Sequence, residues 1–449
     1  MNRSVLIVTP FFAPQNHSAM FRAYKLAKYL PQFGWKPIVL TVDTQYLYNE
    51  DASLIPSLPQ EVEVVRAPYV EPSLRGLRMA MGGRDRTFKT MKELGTVGAA
   101  TAPSKPGTKR AYEYVVANWL QIPDAYWPWA KAATKIGARI IRDRGIDVLY
   151  TTAPPYSSLV IGRALQGTGV KWVSDFRDPL AYTQRLSSNS ARSYQRQRNI
   201  VKTALASADA VTVAASSFAS IYHDMFGKRG VDPIFIPTGA DVALVEPELD
   251  DVEQRSPYLM FAGEYLPDYD TAFLEAFAGA LTFPEVKRTA IKLLVVGTLE
   301  LNRTRLIPLL DKFELHEHVE FLDQKPQREV YQLLRSALAG ILIPGTRAYW
   351  WTTFAKMTDC IGMRKPVVAI VPDPSEARTA LTRSRLGVFL DGSVERRVQI
   401  LSDFLLKKHR LPAPDENECG RYTARRQVQS FVEIFESLAR PKALRASTQ

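Results

Sequence analysis

The sequence predicts an α/β protein made of two doubly wound, Rossmann-like parallel-sheet domains. Three observations lead there. Short apolar runs of strand length alternate with amphipathic helical stretches along most of the chain, and strand then helix, repeated, requires a parallel sheet. The alternation halts once, at a polar, acidic, Pro-containing stretch after Pro237, and then restarts. The 449 residues, 46% of them hydrophobic, are enough for two cores.

The first series places strands at 5–9, 37–42, 62–65, 147–150, 171–173 and 210–213. In the helical stretch after Ser18, Met20, Ala23, Ala27 and Leu30 recur at i, i+3, i+4 spacing and should face the sheet, leaving Arg22, Lys25 and Lys28 for water. The second series places strands at 258–262, 292–296, 319–322, 340–343, 366–370 and 387–390. A final helix over 421–438 lines up Val428, Phe431, Phe435 and Leu438, a face that must pack on something, and 441–449 should fray. The resulting division is 1–241, 242–420, and a C-terminal helix with its tail over 421–449.

Lys and Arg total 58 against 46 Asp and Glu, a formal charge of +12, so anionic partners are favoured: nucleic acid, acidic membrane or phosphorylated substrates. No nucleic-acid module is recognisable, which disfavours the first. Cys360 and Cys419 form no CxxC pair, so a reducing cytoplasm fits and neither a disulfide framework nor a sulfur-rich metal site is expected. No run approaches the roughly 20 apolar residues of a membrane span, which suggests a cytoplasmic protein, soluble or peripheral on the inner membrane face. Residues 71–110 carry nine Lys and Arg against Glu71, Asp85 and Glu93, which suits either anionic lipid headgroups or a solvated loop.

Residues 339–371 are the most informative. A buried strand opens onto a basic, aromatic loop, then a short helix, then another buried strand, placing a helix N-terminus at the carboxyl edge of a parallel sheet. Arg347 precedes that helix and Lys356 lies in its early turns. Free amides, helix dipole and two cations at one spot suit a diphosphate, so a nucleotide sugar is the ligand class to test.

Motif order adds to this reading. VLIVTPFFAP (5–14), FRAYKLAKYLPQFGW (21–35), IPDAYWPWA (122–130), YTTAPPYSS (150–158) and VSDFRDP (173–179) are followed by IPTGAD (236–241), LMFAGEY (259–265), LLVVG (293–297), VEFLD (319–323) and KMTDCIGMRKPVVAI (356–370). In this order the chain resembles glycosyltransferases of the GT-B fold, closest to glycosyltransferase family 4. The resemblance implies two domains facing across a cleft, the nucleotide-sugar donor held mainly by the second and the acceptor mainly by the first, with the final helix crossing back. It implies a retaining, metal-independent transfer with no cofactor beyond the donor, to a glycan or lipid-linked acceptor in surface polysaccharide or glycolipid synthesis.

By the same resemblance, Arg347 and Lys356 offset charge on the leaving diphosphate, and Thr352 and Thr353 hold it while capping the helix. Asp359 stands where the second glutamate of an E-x7-E pattern grips the ribose; Trp351 stands in place of the first. Gly263, Gly297, Asp323 and Gln324 line the nucleotide. Asn16, His17, Asp175, Arg177 and Asp178 face the acceptor.

The chain also departs from the family. After Gly263, where relatives carry phosphate-gripping cations, it has Glu264, Asp268 and Asp270; Asp268-Tyr269-Asp270 spells a metal-binding D-x-D, though Asp270 reads as a helix N-cap. Among the aromatics, Trp119, Tyr126, Trp127 and Trp129 should pack in the core. Tyr349, Trp350 and Trp351 should not, because three consecutive rings in a polar loop cannot all enter one core. These departures keep two rivals open: a catalytically degenerate scaffold or regulatory protein, and a nucleotide-sugar epimerase.

Overall fold

The computed structural model describes residues 3–16, 18–43, 50–72, 122–182, 191–245, 256–408 and 411–439. His17, Trp119, the tail 441–449 and all of the basic stretch beyond residue 72 lie outside them. The chain forms two compact units, one running to Ile236 and resuming at Val428, the other spanning Pro237–Gln427.

In the first unit, β1 (Arg3–Val8), β2 (Trp35–Val42), β3 (Glu63–Ala67), β4 (Val148–Ala153), β5 (Lys171–Phe176), β6 (Ala210–Val213) and β7 (Ile234–Phe235) form one parallel sheet in the order β3-β2-β1-β4-β5-β6-β7. Six of these strands are legible in the sequence. The seventh is a two-residue edge strand, partly exposed and too short to carry a pattern.

The first helix, Phe21–Tyr29, corrects the amphipathic reading. Met20, Ala23, Ala27 and Leu30 are buried as expected, but so are Arg22 and Lys25. For Arg22 the reason is an internal ion pair. Arg22 donates through Nε to Oδ2 of Asp175 at 2.9 Å and through Nη2 to Oδ1 at 2.8 Å. Tyr150 and Thr152 hydroxyls donate to Oδ2 at 2.8 Å, and Thr212 to Oδ1 at 2.7 Å. Burial alone would raise the Asp175 carboxyl, but the Arg22 charge and these bonds hold it below its usual range. Asp175, expected to face an acceptor, is fully buried with its bonding capacity used inside the core.

The final helix closes over this pair. It starts at Ala424, not 421; Arg421 ends a separate short helix, Glu416–Arg421. Val428, Phe431 and Phe435 are fully buried, the Phe431 ring covering Arg22 at 5.2 Å and packing edge-on to Tyr150.

In the second unit, β8 (Tyr258–Ala262), β9 (Lys292–Val296), β10 (Val319–Leu322), β11 (Ala339–Leu342), β12 (Val367–Ala369) and β13 (Gly387–Phe389) form a parallel sheet in the order β10-β9-β8-β11-β12-β13. All six are legible in the sequence. Alternate strand residues go to opposite faces: Leu259, Phe261, Val295 and Ile341 pack with Phe273 and Phe277, while Met260, Leu294 and Leu342 pack with Met357 and Ile361. Two helical layers therefore sandwich the sheet.

Residues 237–241, assigned from sequence to the first domain, bond within the second unit. Ala240 donates to Tyr422 O at 2.6 Å and accepts from Ala424 N at 2.7 Å, and Gly239 N donates to Gln427 Oε1 at 2.7 Å. Among the described residues, no helix is long and apolar enough to cross a membrane.

Candidate functional site

Strand order in the second unit reverses between β8 and β11, so the helices that follow these neighbours leave on opposite faces and open a crevice at their carboxyl ends. Gly263 follows β8 immediately. Its φ of +107° is one a side chain rarely adopts, and its amide donates to Val296 O at 2.7 Å. A Cβ on Gly297, after β9, would overlap the Gly263 carbonyl, so both glycines are required by the close approach of two strand ends. Buried Asn302 clasps the junction, donating to Gly263 O at 3.0 Å and accepting from Tyr265 N at 2.9 Å. Gly297→Ala should cost about 2–3 kcal/mol in urea unfolding, because the backbone on each side must give way.

Lys356 enters this crevice from the first turn of the Ala355–Gly362 helix after β11. Its Nζ lies 3.8 Å from the Phe261 ring centroid and 5.7 Å from that of Tyr269. It sits close enough to Gly263 that a Cβ there would be 3.8 Å from the ammonium. The side chain is half-buried, and among the described residues no carboxylate pairs with it. Burial brings its pKa down to about 7, the Cys360 thiol opposing weakly. An uncompensated, partly desolvated cation at a topological switch point is a ready receptor for an anion.

The other expected nucleotide-side residues gather next to it. Thr298 Oγ1 donates to Glu264 Oε1 at 3.2 Å and accepts from Gln324 Nε2 at 3.1 Å; Asp323 Oδ1 accepts from Gln324 N at 2.8 Å and Leu299 N at 3.3 Å. Thus the ends of β8, β9 and β10 meet through Gly263, Gly297, Asp323 and Gln324. A further cation, Arg305, lies 4.0 Å from Glu264 and donates to Tyr265 O at 2.6 Å. Sequence reasoning missed it because it comes from the Leu299–Phe313 helix, forty residues beyond the motif it neutralises. The D-x-D acids are occupied: Asp270 accepts from Ala272 N at 2.7 Å, one residue before the cap position, which falls to Thr271 and not to Asp270 as expected, and Asp268 accepts from Tyr349 OH at 2.7 Å.

The loop before the helix corrects two expectations. Tyr349 and Trp351 are buried, 6% and 7% exposed, while Trp350 is half-buried. Tyr349 closes a 3-10 turn over Arg347–Tyr349 and packs on Tyr269 and Phe354. Neither Thr352 nor Thr353 takes the cap position of the Ala355–Gly362 helix, which falls to Phe354 without a side-chain bond. The capping threonine is Thr346, whose hydroxyl accepts from Ala348 N at 3.2 Å at the start of the 3-10 turn. Arg347 is exposed. Asp359, one turn beyond Lys356, accepts from Tyr331 OH at 2.6 Å.

No protein-family profile matches the chain, and no curated protein matches it. Solved structures do match over nearly its whole length. A sucrose-phosphate synthase from Thermosynechococcus elongatus superposes with a TM-score of 0.65 at 13% identity, over 97% of this chain and 99% of the other. An alpha,alpha-trehalose-phosphate synthase (UDP-forming) from Burkholderia xenovorans gives 0.56 at 12% identity, over 97% and 100%. A putative UDP-N-acetylglucosamine 2-epimerase from Listeria monocytogenes gives 0.54 at 9%, over 97% and 96%. The chain has the GT-B fold. Transferases and an epimerase share it, so the reaction has to be argued from the site.

In the first GT-B unit, the expected acceptor-side residues are not assembled as the sequence suggests. His17 is outside the described residues, and Asp175 is internal. Arg177 ties loops together, donating to Ala19 O and Pro154 O and lying over Phe11 at 5.8 Å; burial lowers its pKa, and its Nε has no partner. Asn16 and Asp178 are half-exposed at the same sheet edge. Asp124, which sequence reasoning passed over, is deeply placed there: its carboxylate accepts from Ser157 N and Oγ at 2.7 Å each and from Tyr126 N at 2.8 Å, burial raising its pKa against those bonds. Of the aromatics expected in this core, Trp129 and Tyr126 are buried, whereas Trp127 opens the Trp127–Arg144 helix 44% exposed.

Proposed function

We propose that the chain is a glycosyltransferase that takes a sugar from a nucleotide diphosphate donor and passes it to a glycan or lipid-linked acceptor, retaining configuration without a metal. The observation that carries this reading is Lys356, an ammonium without a carboxylate partner among the described residues, held against Phe261 beside Gly263 at the switch point of the second unit. As the glycosidic bond breaks, negative charge grows on the leaving diphosphate. A fixed cation in a low-dielectric crevice stabilises that charge more than it stabilises the bound donor. Arg305 and exposed Arg347 add positive potential, and the amides of Ala355 and Lys356 stand at the helix start. The name of the UDP-forming neighbour agrees with a nucleotide product.

Calorimetric titration with UDP, GDP and ADP tests the reading. One nucleotide should bind, most tightly near pH 6.5, and its affinity should fall about tenfold by pH 9, because Lys356 with a pKa of about 7 loses the proton that attracts phosphate. Lys356→Met should bind weakly with no such slope. Affinity that is flat or rising over this range in the wild type contradicts the assignment. The epimerase reading, prompted by the Listeria neighbour, separates on products: transfer consumes donor in proportion to acceptor, whereas epimerisation interconverts donor sugars with none present.

A further inference from the structure

We propose that the outer helical face of the first unit docks on anionic phospholipid, with a groove between the Tyr156–Gln166 and Ala191–Ser207 helices taking an acyl chain and the arginines beside it taking the lipid phosphate. This stands apart from the donor reading and uses none of the residues assigned to it. The connections from β3 to β4, β4 to β5 and β5 to β6 all move the same way across the sheet. Crossovers of one hand therefore lay the Trp127–Arg144, Tyr156–Gln166 and Ala191–Ser207 helices side by side on one face.

These three helices hold a single acidic residue, Asp143. On the first of them Lys131, Lys135, Arg139 and Arg142 are exposed and follow one another at helical spacing, in a stripe that begins at Trp127. The other two add Arg163, Arg192, Arg196 and Lys202, also exposed. Among the described residues, Lys131, Lys135, Arg139, Arg142 and Arg196 enter no ion pair. In the second unit, by contrast, surface arginines such as Arg364, Arg378 and Arg421 have Glu416, Asp391 and Glu418 as partners. Like charges set one turn apart repel, and an anionic partner relieves that repulsion.

The groove decides which kind of anion. Its volume is about 560 Å³, within the roughly 300–1,000 Å³ of small-molecule sites. Leu159, Val160, Ile200 and Ala204 give it an apolar lining, and exposed Arg163, Arg192 and Arg196 border it. Helices packed side by side have axes about 8–10 Å apart, so the furrow between them is too narrow for a third helix about 10–12 Å across. A single extended chain fits. A nucleic acid has no apolar chain to lay on this lining, whereas a phospholipid brings acyl chain and phosphate together. Trp127 and Tyr182, 44% and 40% exposed, stand at the carboxyl edge of the same sheet and suit the headgroup level of a bilayer.

Sedimentation of the full chain with vesicles tests this. Vesicles of two parts phosphatidylcholine to one of phosphatidylglycerol should retain wild type at low salt, vesicles of phosphatidylcholine alone should not, and high salt should release it. Replacing Arg163, Arg192 and Arg196 together by Gln should weaken retention roughly 100-fold, each cation near an anionic surface being worth about fivefold. Val160→Glu, at an exposed position, should weaken it about tenfold. A charge-matched control, with exposed Lys287, Arg288 and Lys312 replaced by Gln, should stay within about twofold of wild type. Monomeric short-chain phosphatidylglycerol should raise the unfolding temperature of wild type but not of Val160→Glu, and glycerol phosphate should raise neither. Retention unchanged in the triple variant, or equal loss in the control, overturns the assignment. Loss in the triple variant without loss in Val160→Glu overturns the acyl groove. A wild type that ignores vesicles but holds duplex DNA through the same arginines overturns the lipid reading in favour of nucleic acid. None of these outcomes touches the diphosphate site, whose nucleotide affinity should be unchanged in every variant.

Discussion

Asp175→Ala should lose about 3–5 kcal/mol of stability in the first unit, the largest single effect expected of any core substitution in this chain. The cost does not come from the lost attraction alone. Removal of the carboxylate leaves the Arg22 guanidinium charged and enclosed, with Phe431 above it, and deprives Tyr150, Thr152 and Thr212 of their acceptor. Arg22→Met should cost a similar amount by stranding the carboxylate. The double variant Arg22→Met, Asp175→Leu should lose clearly less than the sum, because no unpaired ion remains. The pH dependence has a definite sign. The folded Asp175 pKa is depressed, so its contribution is complete above the unfolded value near 4 and is lost as pH falls further. Urea titrations at pH 7 and at about pH 2.5 test both statements. Nucleotide affinity should stay within about twofold of wild type in the folded variants, since the pair belongs to the other unit; a large drop would make Asp175 part of the ligand site after all.

Lys356→Met should behave in the opposite way, gaining stability while losing function. The methionine keeps the unbranched stem and a favourable sulfur contact with Phe261, but removes a cation that burial penalises. Because the folded Lys356 pKa is lowered to about 7, the unfolded chain binds more protons between pH 7 and about pH 10, and wild-type stability rises with pH across that window. The full penalty therefore applies below pH 7, where Lys356→Met should be more stable. With the side chain only half-buried, water screens part of the shift, and a gain of about 1–2 kcal/mol is expected at pH 6.5, shrinking toward zero by pH 10. Nucleotide affinity should fall about 100-fold and turnover about 10²–10³-fold. Parallel thermal unfolding and activity measurements decide: if the variant is both inactive and less stable, Lys356 is a packing residue.

The two sites differ in how visible they are in the sequence. Lys356 could be found because a strand, a turn and a helix start follow one another locally, and chain order alone places the residue at a sheet's carboxyl edge. Asp175 stands after an equally clear strand, yet its role was misread. Whether it faces solvent depends on Arg22, 153 positions away, whose place on an apparently polar helix face hid its burial. Arg305, Asn302 and Tyr331 were invisible for the same reason: each acts on a residue brought near by the sheet order, not by sequence spacing. The ring pattern at 349–351 was misjudged because the partners that cover Tyr349, among them Tyr269 and Asp268, come from a segment eighty residues earlier in the chain.

By itself, the sequence determined the two parallel sheets, since hydrophobic period and strand length are local properties set by which residues can leave water together. It also placed a cation in the first turns of a helix at the sheet's carboxyl edge, whereas the need for glycine after β8 and β9 came from the close approach of the two strand ends. Tertiary structure alone decided which charges are paired. Asp175 found Arg22 and became part of the core, while Lys356 found only aromatic rings and stayed available to an anion. Burial and pairing depend on distances between residues far apart in the chain, and those distances exist only once the sheets have formed.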